Sequence, residues 1–204
     1  MAETLLWSGE PARDRRVITV VANALRAGEV VGGPGDTVYG LLALPSVPRG
    51  RDALAAIKGR DTQFLLLVAS TKAARALTGP AAEGVWEKLD RVWPGPVTVI
   101  LPAPTPPGTV ALRVPRHAFL TPLLEVLGEP VISTSANRAG APPARDAETL
   151  RTWLGDRLAW IVDGGVSQVA EPSTLVDLVG DSPRVLRAGA GDAGPLLDRG
   201  HPPP

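Results

Sequence analysis

The sequence predicts a single α/β domain whose twisted sheet mixes strand directions, mostly mixed or antiparallel, and is flanked by helices. Three observations carry this. Segments of helical and strand periodicity alternate along nearly the whole chain. The strand-like runs are short and apolar, and several follow one another with no helix between them. No linker or shift in composition divides the 204 residues, a length suited to one domain.

The elements are read in order. Val17, Val20, Val21, Ala24 and Leu25 recur at helical spacing over Arg15–Ala27, with Asp14 as N-cap and Gly28 as stop. Glu29–Gly33 is a short strand that runs into the turn Gly33-Pro34-Gly35-Asp36-Thr37. Leu54 and Ile57 share a face of a helix over Asp52–Lys58, and Phe64–Ala69 reads as a strand buried on both faces. Thr71–Leu77 and Ala82–Val92 read as helices, and Val97–Leu101 and Val110–Val114 as strands joined by the proline-rich stretch Pro102–Gly108. Thr121-Pro122 opens a helix that stops at Gly128. Then come a strand at Val131–Ser135, a helix at Asp146–Leu154, and short strands at Trp160–Asp163, Thr174–Val179 and Val185-Leu186. Residues 1–190 are taken as the domain and 191–204 as a loose C-terminal tail.

Composition excludes several classes of function. There is no cysteine, so disulfides, thiolate metal sites and a cysteine nucleophile are out. His117 and His201 are the only histidines, too few for a multi-histidine zinc site. Lys+Arg and Asp+Glu are 21 each, a balance unlike that of a strongly basic nucleic-acid coat. No apolar run approaches the ~18–20 residues of a membrane span, and no signal-peptide pattern opens the chain. The expectation is a cytoplasmic protein with no membrane partner. Gly189 to Gly194 matches G-x-G-x-x-G, but no strand–helix–strand unit has room to surround it, so a dinucleotide site is not expected.

Four polar clusters stand at strand or helix ends, where α/β proteins place ligands. Pro34–Leu41 offers close backbone approach and the Thr37 hydroxyl, or is an ordinary Gly/Asp turn. Lys58-Gly59-Arg60 is a phosphate clamp or a helix C-cap. Ser133-Thr134-Ser135-Ala136-Asn137 ends an apolar strand in three hydroxyls and an amide, a hydrogen-bonding shelf or the opening of a loop. Arg113, Ser173 and Arg187 are polar residues on or beside apolar strands; such an arginine either reaches solvent or meets an anion.

In this order the clusters resemble the YrdC-type threonylcarbamoyladenylate synthase family. The matching stretches are Pro34–Leu41, Lys58–Arg60, Trp93–Leu101, Arg113–Pro115, Val131–Asn137, Ser173–Leu178 and Leu186–Gly189. The chain is similar to the short form that lacks an extra C-terminal domain. Departures from the family pattern are Gly35 in place of a threonine, Asp61-Thr62-Gln63 after Arg60, and no histidine near Val68.

The resemblance implies a sheet curved around a concave basic cavity. It implies condensation of L-threonine, bicarbonate or CO2 and ATP to threonylcarbamoyl-AMP and pyrophosphate, a nucleotidyltransferase reaction serving tRNA modification. Mg2+ arrives on the nucleotide, no protein metal site is expected, and tRNA or the threonylcarbamoyl-transfer complex are further partners. No side-chain nucleophile is needed, since the carbamate comes from substrate; Lys58 and Arg60 position the phosphates. Lys58, Arg60, Ser133, Ser135, Asn137 and Arg187 are expected on ATP. Thr37, Arg113 and Ser173 are expected on threonine. Two rivals are a non-catalytic RNA- or nucleotide-binding module of the same fold, and a carbamoyl-adenylate-forming domain.

Overall fold

The computed structural model describes residues 2–59, 64–79, 84–137 and 141–197. Its elements are β1 (Glu3–Leu6), α1 (Pro11–Arg26), β2 (Val31–Gly33), β3 (Gly40–Ala43), α2 (Pro48–Lys58), β4 (Leu65–Leu67), α3 (Thr71–Arg75) and α4 (Trp86–Val92). They continue with β5 (Val97–Pro102), β6 (Thr109–Arg113), α5 (Leu120–Leu127), β7 (Val131–Ser135), α6 (Ala147–Leu154), β8 (Trp160–Asp163), β9 (Thr174–Asp177), β10 (Arg184–Arg187) and α7 (Gly194–Leu197).

The strands form one sheet in the order β1-β8-β2-β3-β7-β4-β6-β5-β9-β10. Neighbours β1/β8, β2/β8, β4/β6 and β5/β9 run parallel, and the other five pairs run antiparallel. The mixed α/β sheet expected from the alternating elements is therefore the fold observed.

Strand alternation decides what covers each face. In one half of the sheet both faces are helical. Leu42, Val31 and Val162 pack against Val17, Val21 and Leu25 of α1 and Leu120 and Leu124 of α5. Leu41, Ala43 and Ile161 point the other way, onto Leu54 of α2 and Leu150 and Leu154 of α6. In the other half only one face is covered. Val97, Val99 and Leu101 of β5, Leu112 of β6 and Val176 of β9 pack on Trp86 and Leu89 of α4 and on Leu196 of α7. The intervening residues Thr98, Ile100, Ala111, Arg113 and Leu175 face away from that cluster and line a cavity. Among the described residues no second layer covers this half of the sheet, and that gap makes the site.

Three readings change. Helix α1 begins at Pro11 with Glu10 at the N-cap, because proline fits the first helical position. Asp14 is instead buried inside the helix, where its Oδ1 accepts the backbone N–H of Ser8 at 3.0 Å. The strand expected over Phe64–Ala69 shrinks to Leu65–Leu67, and only Leu67 of the three is fully buried, because Leu65 borders the cavity. The C-terminal segment is held further than the loose tail suggested: Ala193 and Leu196 are buried in the α4 cluster, and residues 198–204 lie outside the described residues. Strand β1, not expected from the sequence, is an edge strand exposed along most of its length. No helix among the described residues is long and apolar enough to cross a membrane.

Candidate active site

The cavity encloses about 350 Å³ over the uncovered face of β6, β5 and β9, and the ends of β3, β7 and β10 close it. Thr37, Arg113, Ser133, Ser135, Ser173 and Arg187, which the sequence scatters over some 150 positions, all line it. Each is placed by a nearby feature of the fold. Arg113 ends β6 on the face opposite the buried Leu112. Ser133 and Ser135 pair with Leu42 and Gly40 of β3. Thr37 sits in the turn that leads into β3.

Lys58 and Asn137 join from the side. Lys58 Nζ donates to the carbonyl of Ser135 at 2.9 Å and to Asn137 Oδ1 at 2.8 Å. Ser135 Oγ also donates to Asn137 Oδ1, at 2.8 Å, so two donors fix which way the amide faces. Helix α2 ends beside this group because Gly59 takes the left-handed conformation at φ 66°. The cap reading of Gly59 and a site role for Lys58 are thus compatible. Arg60 lies outside the described residues, as does His201.

At the opposite end of the cavity, Arg187 donates through Nε and Nη2 to the carbonyl of Ser173, at 3.1 and 2.8 Å. Its Nη2 also reaches Ser173 Oγ at 3.3 Å. Thr98, not among the expected site residues, shares a hydrogen bond of 2.8 Å with the same hydroxyl. Its signal was present in the sequence: one hydroxyl on the alternate face of the apolar run Val97-Thr98-Val99-Ile100-Leu101.

The side chain of Arg113 is 6% exposed, and its Nη2 lies 3.1 Å from Oδ1 of Asp36. Burial holds the Arg113 guanidinium below its ordinary pKa; Asp36 opposes that and nearby Arg187 adds to it. Burial likewise lowers Arg187. Two cations facing one cavity, with one carboxylate behind them, favour an anionic ligand.

Asp36 also borders a second cavity of about 310 Å³, shared with Arg116, His117 and Ser167. His117 Nδ1 accepts the backbone N–H of Phe119 at 3.2 Å, and burial keeps its pKa low. Tyr39 separates the cavities. Its hydroxyl donates to the Gly165 carbonyl at 2.7 Å and accepts from Gly164 N–H at 3.0 Å. Desolvation pushes its pKa up to about 12, so it remains a neutral phenol. Together with Ser167, whose hydroxyl donates to the Thr37 carbonyl, it ties the loop after β8 to the turn that carries Thr37.

Comparison with known proteins bears on family and fold. The Sua5/YciO/YrdC family model, described as "Telomere recombination", matches residues 23–189. A Mycobacterium tuberculosis protein provisionally named threonylcarbamoyl-AMP synthase is 38% identical over 199 residues, which cover 93% of this chain and 91% of that one. The threonylcarbamoyl-AMP synthase of Bacillus subtilis is 36% identical over 84% of this chain and 53% of its own. The crystal structure of Pyrococcus abyssi Sua5 complexed with L-threonine superposes with a TM-score of 0.82 at 28% identity, covering 93% of this chain and 57% of that one. The chain therefore spans a little over half the length of the Bacillus and Pyrococcus proteins.

Proposed function

The chain belongs to the Sua5/YciO/YrdC family, and on that premise we propose that it condenses L-threonine, bicarbonate or CO2 and ATP to threonylcarbamoyl-AMP and pyrophosphate, supplying tRNA threonylcarbamoyladenosine modification. The observation that carries the reading is the cavity itself. Two guanidiniums and a set of hydroxyls from distant parts of the chain converge on one open sheet face, where a zwitterionic amino acid and a polyphosphate both find partners.

The chemistry asks for positioning more than for a nucleophile. The threonine amine adds to CO2 and loses a proton, forming a carbamate. A carbamate oxygen attacks the α-phosphorus of ATP, the bond to the β,γ-phosphates breaks, and pyrophosphate leaves. Arg113 takes the threonine carboxylate through its planar fork, and Ser173 and Thr37 meet the amino acid's hydroxyl or amine. Ser133, Ser135 and Asn137 hydrogen-bond the nucleotide, with Lys58, Arg60 and Arg187 as its cations. Mg2+ comes with the triphosphate and neutralises part of its charge. The enzyme thus acts as a nucleotidyltransferase by proximity and electrostatics.

The test is release of pyrophosphate from ATP in the presence of bicarbonate, with and without L-threonine. Strict dependence on threonine is the expected result. Release that needs no amino acid would favour a carbamoyl-adenylate-forming domain, and no release at all would favour a non-catalytic RNA- or nucleotide-binding module.

A further inference from the structure

Asp36 has no part in the chemistry above, yet it stands directly behind the cavity. Its side chain is 4% exposed, and its Oδ1 lies 3.1 Å from Nη2 of Arg113. Apart from that ion pair its two carboxylate oxygens have no hydrogen-bond partner among the described residues, and neither has Nε of Arg113. A buried carboxylate held only to maintain a fold is normally saturated with hydrogen bonds, because leaving it unsatisfied costs stability. The oxygens are also sealed from solvent, and Asp36 does not line the cavity that holds Arg113. Asp36 therefore acts through Arg113, from the side away from the cavity.

We propose that Asp36 is a positioning residue that sets what Arg113 binds: it fixes the guanidinium from behind and offsets enough of its charge that Arg113 takes a monoanionic carboxylate and leaves the nucleotide's phosphates to the other cations. Arg187 stands close enough to Arg113 to disfavour its charge. Without Asp36 the two guanidiniums form an uncompensated pair, which is the natural trap for a multiply charged phosphate chain. With Asp36 present, the carboxylate cancels part of the guanidinium's charge, so Arg113 draws a multiply charged anion less strongly, in proportion to that anion's charge. A zwitterion of zero net charge loses little by this and is held by the hydrogen-bond geometry of the fixed fork. Discrimination then rests on how Asp36 tunes Arg113. The identity of the amino acid as threonine rests on the synthase reading; the charge argument does not.

Calorimetry of the intact chain with inorganic pyrophosphate and, separately, with L-threonine tests this in wild type and Asp36→Asn. Pyrophosphate should bind the variant about tenfold more tightly and threonine about tenfold more weakly, the scale of one mispaired close charge. Opposite signs are the signature, since general damage to the fold weakens both. Loss of both affinities together, or no change in either, would overturn the proposal. Should Asp36→Asn not fold, Arg113→Gln is compared with the double variant Asp36→Asn/Arg113→Gln, which removes both buried charges. Pyrophosphate affinity should then differ by less than about twofold between the two, because the effect passes through Arg113. A tenfold difference there would mean that Asp36 acts on the anion without Arg113, and the proposal fails. The pyrophosphate measurement needs neither threonine nor turnover, so its failure is distinct from a failure of the synthase reading.

Discussion

Thr98 on β5 and Ser173 at the start of β9 share a hydrogen bond of 2.8 Å between their hydroxyls, and both side chains are buried. Ser173 Oγ also receives Arg187 Nη2 at 3.3 Å. Thr98 thereby helps decide where the Ser173 hydroxyl points. Replacing Thr98 by Val keeps the shape and removes that partner. The cost should be about 0.5–1.5 kcal/mol, the usual worth of one hydrogen bond, expressed as a raised KM for threonine with the KM for ATP little changed. Equal changes in both constants would assign Thr98 to general packing.

Lys58 and Asn137 should behave as one unit. The ammonium and the Ser135 hydroxyl both point at Asn137 Oδ1, so either substitution releases the same amide. Lys58→Met and Asn137→Ala should each weaken ATP, and the double variant should lose less than their sum. A double-mutant cycle on ATP affinity should give a coupling of about 0.5–3 kcal/mol. Strict additivity would mean that the two side chains meet the nucleotide independently.

Gly189 is needed for a close approach. A Cβ there would lie 2.2 Å from the carbonyl oxygen of Pro172 and 2.7 Å from the carbonyl carbon of Ser173, with only backbone to give way. Gly189→Ala should push the Ser173 backbone off its present position at a cost of about 1–3 kcal/mol, the range for overpacking. A thermal melt should fall by about 2–4 °C for each kcal/mol in a domain of this size, and turnover should fall with it. An unchanged melt would contradict the packing described.

Stability should rise with pH through the titration of His117. Burial holds its folded pKa below the ordinary 6.5, against a smaller upward pull from Asp36. Below 6.5 the unfolded chain therefore binds more protons at this site than the folded one, and acid favours unfolding. Between about pH 5 and 7 unfolding free energy should climb and then level off once the unfolded histidine is neutral too. His117→Asn, which keeps an acceptor for the Phe119 N–H, should flatten that slope. Asp146 and Asp177 contribute in the same direction at lower pH. Their carboxylates are held below 3.8, chiefly by hydrogen bonds from the Thr149 backbone and the Arg184 side chain respectively, and that stability is lost as pH falls through the folded values.

The parts of the fold that were legible in the sequence are those that announce themselves locally. Strand β7 was read with its exact limits because Val131-Ile132 passes abruptly into hydroxyls. Helix α6 was read within one residue because Asp146 is a true N-cap, accepting the Thr149 N–H. The site residues were readable as clusters, and the cavity brings six of them together. What the sequence hid depends on distance. Asp36 and Arg113 are 77 positions apart, and nothing local in either segment predicts an ion pair. Strand β4 was overextended because its run looks buried on both faces, whereas the cavity replaces the helix that would have covered one of them. The glycines of Gly189 to Gly194 form no dinucleotide loop among the described residues. Gly189 and Gly191 instead donate their N–H groups to the Thr174 hydroxyl, each at 3.1 Å, which binds this segment to β9.

In the proposed reaction, carbon from bicarbonate ends up between threonine and AMP. Incubating the chain with ATP, L-threonine and 13C-labelled bicarbonate, then weighing the adenylate by mass spectrometry, tests this directly. The expected product is threonylcarbamoyl-AMP carrying one heavy carbon, formed together with pyrophosphate and nearly abolished by Arg113→Ala. An unlabelled threonyl-AMP, or an adenylate that forms without threonine, would contradict it.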